Sequence, residues 1–452
     1  MRKLEKSFAP PSVTAPALET KDYEFVTITP MFGGGTVAAE IDEDRPVHVT
    51  SIRGSLREWW RRLYGEGRHN EELFKAESCI WGATDQASVV KVELVSMTAS
   101  EKIATAEIIE RNGKNQINTL RMPNGELYPQ YALFPFQGEV GDPFRNKPPI
   151  PPKKGWDKGL SFTIRIFYNF AVLARDKDGG LLISADQVRE QVKNTLIAWA
   201  NFGGIGARTR RGLGALYCNE LAFENEAKTA DFVQKFLQPG NCTSLISPDT
   251  KQSDSLAVWA DSINTMSFFR QGKEMGRNKG SDPTKPKKLG RSFWPEPDEI
   301  RRKITPHAGQ SYRHEPGFTK VHAFPRARFG LPIIFHFQGS NEPKDVTLLP
   351  AFNNESEPKT RMASPILIRP LKFKNTAGFR TIVLVFQVPH FDKLVLQQNN
   401  KTVAESTDST VVANFGTDKN SPLNRYSEAD SVKAFIAYLR QLPQDRKYNV
   451  LG

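Results

Sequence analysis

The sequence predicts a mixed α+β protein whose first half has the ferredoxin-like arrangement, which is also called RRM-like or split βαβ. Hydrophobic periodicity gives the order strand, helix, strand, strand, helix, glycine-rich loop, strand over the first 225 residues. After residue 225 the patterns are weaker, but helices and strands again alternate. We therefore expect a second αβ domain of similar architecture.

Apolar spacing and capping signals define the elements of the first half. Ser55 and Glu58 form a capping-box pattern, which would allow the first helix to begin later than Ser51. Ser184 and Gln187 form the same pattern before the second helix, and glycine ends that helix. The predicted elements are a strand at Tyr23–Ile28, a helix at Ser51–Tyr64, strands at Ser88–Met97 and Leu160–Ala174, a helix from Ser184 to Gly203 and a strand at Leu213–Phe223.

Two long insertions interrupt these elements. Residues 98–158 are poorly periodic and end in a proline- and lysine-rich run, and residues 270–303 hold eleven Lys or Arg against five acids. We expect a flexible segment at 1–21, a first domain at 22–225, and a second at 226–452 with a basic, mobile insertion at about 270–320. In the second half, helices are predicted at Asp231–Leu237, Ser255–Phe269 and Ser427–Leu442, and strands at Leu331–Phe337, Pro365–Phe373 and Thr381–Val388.

Composition narrows the class of protein. A net charge of +12 favours a polyanionic partner, although a generally basic and soluble surface is the simpler alternative. No run of eighteen apolar residues is present, so we expect no membrane span. Three widely spaced cysteines form no disulfide framework or CxxC pair, which favours a reducing cytoplasm.

The densest candidate site is a glycine-rich loop at residues 203–214, which contains five glycines and three arginines. Backbone N–H groups in such turns can bind anions, and arginines add charge-assisted bonds to phosphates. The spacing matches neither a Walker loop nor the dinucleotide pattern, and both motifs would follow a strand rather than a helix. A tight connection with solvated arginines is the simpler alternative. The candidate residues are Gly203, Gly204, Gly206, Arg208, Arg210, Arg211 and Gly212.

Two further segments combine basic and aromatic residues, the combination that binds single-stranded RNA. Each could instead be an ordinary solvated face or loop. In contrast, the sequence shows no catalytic motif, and His307, His314 and His322 lack the spacing of common zinc sites. We therefore predict no catalytic residue, metal or cofactor. The additional RNA-binding candidates are Arg53, Arg57, Trp60 and Arg61 in the first helix, and Arg291 and Trp294 in the basic insertion.

The glycine loop, placed late in a ferredoxin-like domain, resembles the RAMP superfamily of CRISPR proteins. Within it, Thr29-Pro30-Met31-Phe32-Gly33-Gly34 and the helix Ile52-Arg53-Gly54-Ser55-Leu56-Arg57-Glu58-Trp59-Trp60-Arg61 resemble the first-subunit family of the type III-B Cmr effector complex. Phe329-Gly330-Leu331-Pro332 and Ser364-Pro365-Ile366-Leu367 support the same resemblance. The matched segments are spread from about residue 25 to 371.

This resemblance implies two ferredoxin-like domains in tandem and a place at one end of a multi-subunit ribonucleoprotein. It implies a subunit without enzymatic activity that holds the 3′ part of the guide RNA and the paired target RNA, beside other Cmr subunits. Arg53, Arg57 and the loop from Gly203 to Gly214 become the RNA-contact candidates. A metal-independent endoribonuclease that processes guide precursors, as some RAMP proteins are, and a purely structural end cap remain the alternatives.

Overall fold

The computed structural model describes residues 18–141, 148–278, 290–304, 323–337, 342–407 and 421–452. The helices are α1 (Val49–Tyr64), α2 (Asn70–Trp81), α3 (Gln130–Leu133), α4 (Ala185–Phe202), α5 (Glu226–Phe236), α6 (Ser255–Gln271), α7 (Glu296–Ile304), α8 (Pro422–Arg425) and α9 (Ser431–Arg440). The strands are β1 (Glu19–Thr27), β2 (Val90–Thr98), β3 (Lys102–Ile103), β4 (Ala106–Arg111), β5 (Lys114–Thr119), β6 (Gly155–Trp156), β7 (Ser161–Tyr168), β8 (Leu216–Tyr217), β9 (Thr243–Ile246), β10 (Ile333–Phe335), β11 (Val346–Ala351), β12 (Ile366–Lys372), β13 (Phe379–Val385), β14 (Lys393–Gln398), β15 (Lys401–Ser406) and β16 (Asn449–Val450).

The first sheet has the strand order β2-β7-β1-β8, and all neighbouring strands are antiparallel. Alternate residues of β7 are buried, as a strand with one covered face requires. Helices α1 and α4 pack against each other, and the Trp199 ring of α4 lies 4.8 Å from the Phe25 ring of β1. The sheet therefore buries one face under these two helices.

The second half contains a sheet with the order β12-β13-β9-β16, again antiparallel throughout. Helix α6 packs on β12 and β13, and α9 packs on α6. A third sheet, β10-β11-β14-β15, encloses a smaller core of its own. The described part of the chain is thus a mixed α+β structure built from several antiparallel sheets.

Both large hydrophobic cores contain residues from the two halves of the chain. The first core, centred on Phe25 and Trp199, also buries Leu367 and Ile382. The second core, which surrounds Trp259 of α6, draws Phe32, Phe136 and Leu213 from the first half. The glycine-rich loop lies where these cores meet.

Several boundaries differ from the sequence predictions. The capping-box pattern would allow the first helix to begin later than Ser51, and this is wrong, because α1 begins at Val49 after the extended residue His48. The Ser184–Gln187 capping box is confirmed in full. The strand predicted at Leu213–Phe223 shrinks to two residues, because left-handed backbone at Gly212 and Gly214 turns the chain just before it.

The predicted flexible and mobile segments are only partly described. Strand β1 begins at Glu19, so residues 19–21 are ordered and not flexible as predicted, and residues 1–17 lie outside the described residues. In the basic insertion, α7 forms instead of a mobile loop, whereas residues 279–289 and 305–322 lie outside the described residues. The poorly periodic stretch at 98–158 contains the β4–β5 hairpin and α3. Among the described helices, none is long and apolar enough to cross a membrane.

Candidate nucleic-acid interface

The glycine-rich loop begins where α4 ends, at Gly203, whose N–H donates to the Trp199 carbonyl. It then folds against the loop that follows β1. The Ala207 N–H donates to the Phe32 carbonyl at 2.7 Å, and the Gly214 N–H donates to the Pro30 carbonyl at 2.8 Å. The two glycine-containing loops are thereby held as one unit.

Two glycines of the loop are required by its shape. Gly214 has φ +57°, and a Cβ there would lie 1.9 Å from the Ile205 carbonyl oxygen. Gly206 has φ +80°, and its Cβ would lie 2.7 Å from the Phe32 carbonyl oxygen. Positive φ and close backbone approach both exclude a side chain. Gly203, Gly204 and Gly212 are buried, while Gly206 is exposed at the surface.

A cleft of about 320 Å³ separates this loop from the N-terminus of α1. His48 provides no side-chain cap, and the first turn of α1 contains no acidic residue. The unpaired N–H groups and the dipole of the helix therefore make this end of the cleft electropositive. The cleft is lined by Met31, Gly34, Pro46, Val47, His48, Ser51, Ile52, Ser55, Glu58, Gly204, Ile205, Gly206, Ala207 and Thr209.

Arg210 and Arg211 point into the molecule, towards the segment that leads into β12. Arg211 is 7% exposed; it donates to the Ile366 carbonyl at 2.7 Å and to the Ser364 hydroxyl at 2.9 Å. Burial lowers its pKa to about 10. Arg210 donates to the Ser364 carbonyl and, at 3.1 Å, to a Glu58 carboxylate oxygen. Both side chains join the loop to the second half of the chain.

The Arg208 side chain points towards α3 rather than towards β12. The residue has left-handed backbone with φ +57°, and its guanidinium donates to the Tyr131 carbonyl at 3.2 Å. Its Nε is buried and has no partner among the described residues. The three arginines that the sequence places together therefore occupy different environments.

Helix α1 carries a basic face, but only some of its arginines are paired with a carboxylate. Arg57 and Arg61 both bind Glu77 of α2, a carboxylate that is 1% exposed. Arg53 is exposed, and it makes only a long contact of 3.5 Å to the Trp81 carbonyl. Glu77 lies outside the segments that the sequence predicts, because α2 shows no clear apolar stripe.

The two predicted aromatic contacts lie in the interior rather than on the surface. Trp60 is 1% exposed, and its indole N–H donates to Gln191 at 2.8 Å. Trp294 is also 1% exposed and donates to the Arg270 carbonyl at 2.8 Å. Arg291, close to Trp294, forms an ion pair with Asp298 of α7. In this structure core packing covers both indole rings and leaves no face on which a base could stack.

No metal-binding group of three or more His, Cys, Asp or Glu residues occurs within the described ranges. The histidines His307, His314 and His322 lie outside those ranges. All three cysteines are free and buried, and burial raises the pKa of the Cys242 thiol to about 11. A thiol with such a pKa is protonated and unreactive near neutral pH.

Residues 24–217 match the model of the RAMP superfamily. The match includes β1, α1, α4 and the entire glycine-rich loop, and it covers somewhat less than half of the 452 residues. The resemblance to the RAMP superfamily that the glycine-rich loop predicts is thereby confirmed for this segment.

Solved structures similar to the chain include three Cmr proteins. One is the crystal structure of apo Cmr1 from Pyrococcus furiosus, with 16% identity, a TM-score of 0.39, and coverage of 82% of this chain and 89% of that one. A type III-B Cmr-beta structure with cognate target RNA and AMPPnP has 13% identity, a TM-score of 0.39, and coverage of 82% and 95%. A second Cmr-beta structure with cognate target RNA has 12% identity, a TM-score of 0.33, and coverage of 92% and 99%. No curated protein sequence matches the chain.

Proposed function

We propose that this chain is a non-catalytic RNA-binding subunit of a type III-B CRISPR Cmr ribonucleoprotein. In that role it holds the 3′ part of the guide RNA, the paired target RNA, or both, beside the other Cmr subunits in the cytoplasm. The observation that carries the proposal is the electropositive cleft between the glycine-rich loop and α1. It lies entirely within the segment that matches the model of the RAMP superfamily.

The cleft offers the groups that a phosphate backbone needs. The exposed Gly206 lets a ligand approach the backbone, and Ser51, Ser55 and Thr209 contribute hydroxyl groups. A helix N-terminus without an acidic first turn favours anions. These features bind phosphates irrespective of base sequence, which suits a guide that changes from one complex to the next.

The charge around the cleft supports an anionic ligand. Glu58, the carboxylate that lines the cleft, is paired with two arginines, Arg62 of α1 and Arg210 of the glycine-rich loop. Two positive charges against one negative charge leave a surplus of one beside the cleft. Such a surplus attracts nucleic acid and makes binding dependent on salt.

The open face of the first sheet is less suited than the cleft to bind RNA. Asp22, Glu24 and Glu93 face outward there against only Lys91 and Arg165, as the strand register shows. Arg165 is itself paired with Asp22 at 2.6 Å. An acidic balance repels phosphates, so the proposed RNA path follows the loop rather than the sheet.

We further propose that the two four-stranded sheets of the first and second halves are tandem ferredoxin-like units. The supporting feature is their shared connectivity. In each half a strand, a helix, two strands, a helix and a short strand follow in that order, apart from added elements. In each sheet the first strand lies between the third and the fourth.

The proposal is tested by placing a negative charge at the mouth of the cleft. Glutamate in the first turn of a helix stabilises it, so Ser51→Glu should leave the melting temperature unchanged or raise it. The same carboxylate should repel phosphate and weaken binding to single-stranded RNA several-fold in a fluorescence anisotropy titration. The matched control is Thr20→Glu, which adds the same charge on the exposed sheet face. Equal affinities for wild type and Ser51→Glu would overturn the assignment of the cleft.

The proposed lack of catalytic activity is tested separately, by asking whether the protein cleaves RNA. Pure protein is incubated with a repeat-containing transcript in the presence of EDTA, and the RNA is resolved on a denaturing gel. We expect intact RNA. Site-specific cleavage that survives EDTA would instead support a metal-independent endoribonuclease, which needs a positioned general base rather than a metal.

A further inference from the structure

Three arginines converge on Tyr131, which belongs to α3 in the insertion of the first half. Arg208 comes from the glycine-rich loop and donates to the Tyr131 carbonyl at 3.2 Å. Arg270 comes from the last turn of α6, donates to the Tyr131 hydroxyl, and lies 4.9 Å from the centre of the Phe329 ring. Arg211 adds its charge from the buried side. We call Arg208, Arg211, Arg270 and Tyr131 the Tyr131 cluster.

The Tyr131 cluster lacks a counter-ion, unlike the arginines that pair with Glu77 or Glu296. Within the described residues, no carboxylate pairs with Arg208, Arg211 or Arg270, whose hydrogen bonds all go to carbonyl or hydroxyl oxygens. By contrast, Glu77 binds Arg57 and Arg61 of α1, and nearby Glu296 binds Arg326 at 3.1 Å. Like charges that are buried or half-buried without an acid are costly, so the cluster is suited to receive an anion.

The electrostatics of the cluster agree with this geometry. Burial alone would raise the pKa of the Tyr131 phenol, yet the charges of Arg270, Arg211 and Arg208 together lower it. Burial lowers the pKa of Arg208, and the charge of Arg270 lowers it further. Moreover, the buried Nε of Arg208 has no acceptor among the described residues. The site thus presents excess positive charge and an unused donor.

We propose that the Tyr131 cluster binds a phosphate group, with Arg208 and Arg270 as its ligands. Guanidinium groups match phosphate oxygens in charge and geometry, and Arg211 strengthens the field without needing contact. Arg208 lies between Ala207 and Thr209, which both line the RNA cleft. The assignment to an RNA phosphate rests on the proposed function, and it extends the RNA path from the cleft to the insertion.

The first experiment measures binding of single-stranded RNA across salt concentrations for Arg208→Gln and Arg270→Gln. Loss of one phosphate contact should reduce the slope of log affinity against log salt by about 0.7 in each variant. Arg208→Lys, which retains the charge, should recover most of the slope. The matched control is Arg165→Gln, which removes the same charge from the sheet face. Slopes for both variants equal to that of the control would overturn the RNA assignment.

The second experiment separates this site from the proposed function by using inorganic phosphate as the probe. Phosphate that binds only the folded protein raises its melting temperature, compared with chloride at equal ionic strength. We expect this increase in wild type and Arg165→Gln, and its loss in Arg208→Gln and Arg270→Gln. If wild type binds no RNA but shows this pattern, the phosphate site stands and the RNA function fails. An increase that is absent, or equal in all variants, overturns the site.

Discussion

At the scale of single residues, the Tyr131 phenol reports on the charge around it. Because three arginines hold its pKa below the ordinary tyrosine value of about 10, it should ionise before the other tyrosines of the described ranges. Burial raises the pKa of Tyr23 and Tyr64 to about 12, so their ionisation falls outside the same range. Tyrosinate absorbance of wild type minus that of Tyr131→Phe isolates this group. A midpoint at or above 10 would contradict the electrostatic picture.

Ionisation of the Tyr131 phenol should also make the free energy of unfolding depend on pH. A phenol whose pKa is lower in the folded state favours folding once it ionises. Its contribution is therefore fully present above the unfolded pKa of about 10 and is lost as pH falls through the folded value. Wild type should gain stability relative to Tyr131→Phe as the solution is made alkaline, in urea titrations at several pH values. Saturating phosphate should raise the pKa of Tyr131 and diminish this gain.

Gly214 is a residue whose replacement tests the backbone of the loop. A Cβ at this position would lie 1.9 Å from the Ile205 carbonyl oxygen, so Gly214→Ala must displace backbone in addition to straining φ. We expect a loss of about 3 kcal/mol or more in the free energy of unfolding. Gly113→Ala is the matched control, with φ +69° and no atom within 4 Å of the added carbon. It should cost only the conformational strain, about 1 kcal/mol.

At the scale of elements, the sequence predicted those that follow a regular apolar pattern. Helix α4 was located with its capping box because Ser184 and Gln187 are local signals. Helix α2 was missed because its buried residues, from Glu77 to Trp81, are consecutive and show no helical period. The short strand β9 lies between two sheet neighbours that are far away in the chain. Local pattern does not reveal such pairing.

The roles of the loop arginines were beyond sequence reasoning for a similar reason. Arg211 and its acceptor Ser364 are 153 residues apart, so the sequence could not indicate that this guanidinium binds the chain's own backbone and hydroxyl groups. The basic face of α1 was predicted, but Glu77, which neutralises half of it, comes from the unpredicted α2. Tyr131 lies in an insertion without periodic signal, so the Tyr131 cluster could not be predicted.

One side chain of β12 holds the loop in place. Arg369 is 1% exposed and donates to the carbonyls of Gly203 and Leu216, at the two ends of the loop region, and at 3.3 Å to that of Ala200. Burial lowers its pKa to about 9. Arg369→Met would leave these carbonyls without their donor, so we expect unfolding to become easier by about 3 kcal/mol. Urea denaturation measures the change.

A matched control for Arg369→Met exists on the surface. Arg175 is exposed and also donates to a backbone carbonyl, that of Gly179, at 2.8 Å. Water replaces that bond, so Arg175→Met should change stability by less than about 0.5 kcal/mol. Similar losses for the two variants would show that Arg369 is not a structural clamp.

At the scale of the whole molecule, the two large hydrophobic cores extend across the domain boundary that the sequence predicts near residue 225. Leu367, Leu371, Ile382 and Leu384 come from the second half and are buried in the first core. Burial of one such side chain contributes about 1.5 kcal/mol or more, so the four together contribute about 6 kcal/mol. That amount is comparable with the entire stability of an ordinary domain, which is about 5–15 kcal/mol.

The two halves should therefore fold as one cooperative unit. We expect a single calorimetric transition for the full chain, and we expect residues 18–225 expressed alone to lack a cooperative transition. Co-expression with residues 226–452 should restore solubility, because the second half supplies the missing core side chains. Leu367→Ala should then lower the melting temperature of the entire protein, as seen by probes in either half. Two separate transitions, or a stable isolated first half, would show that the shared cores contribute less than their burial indicates.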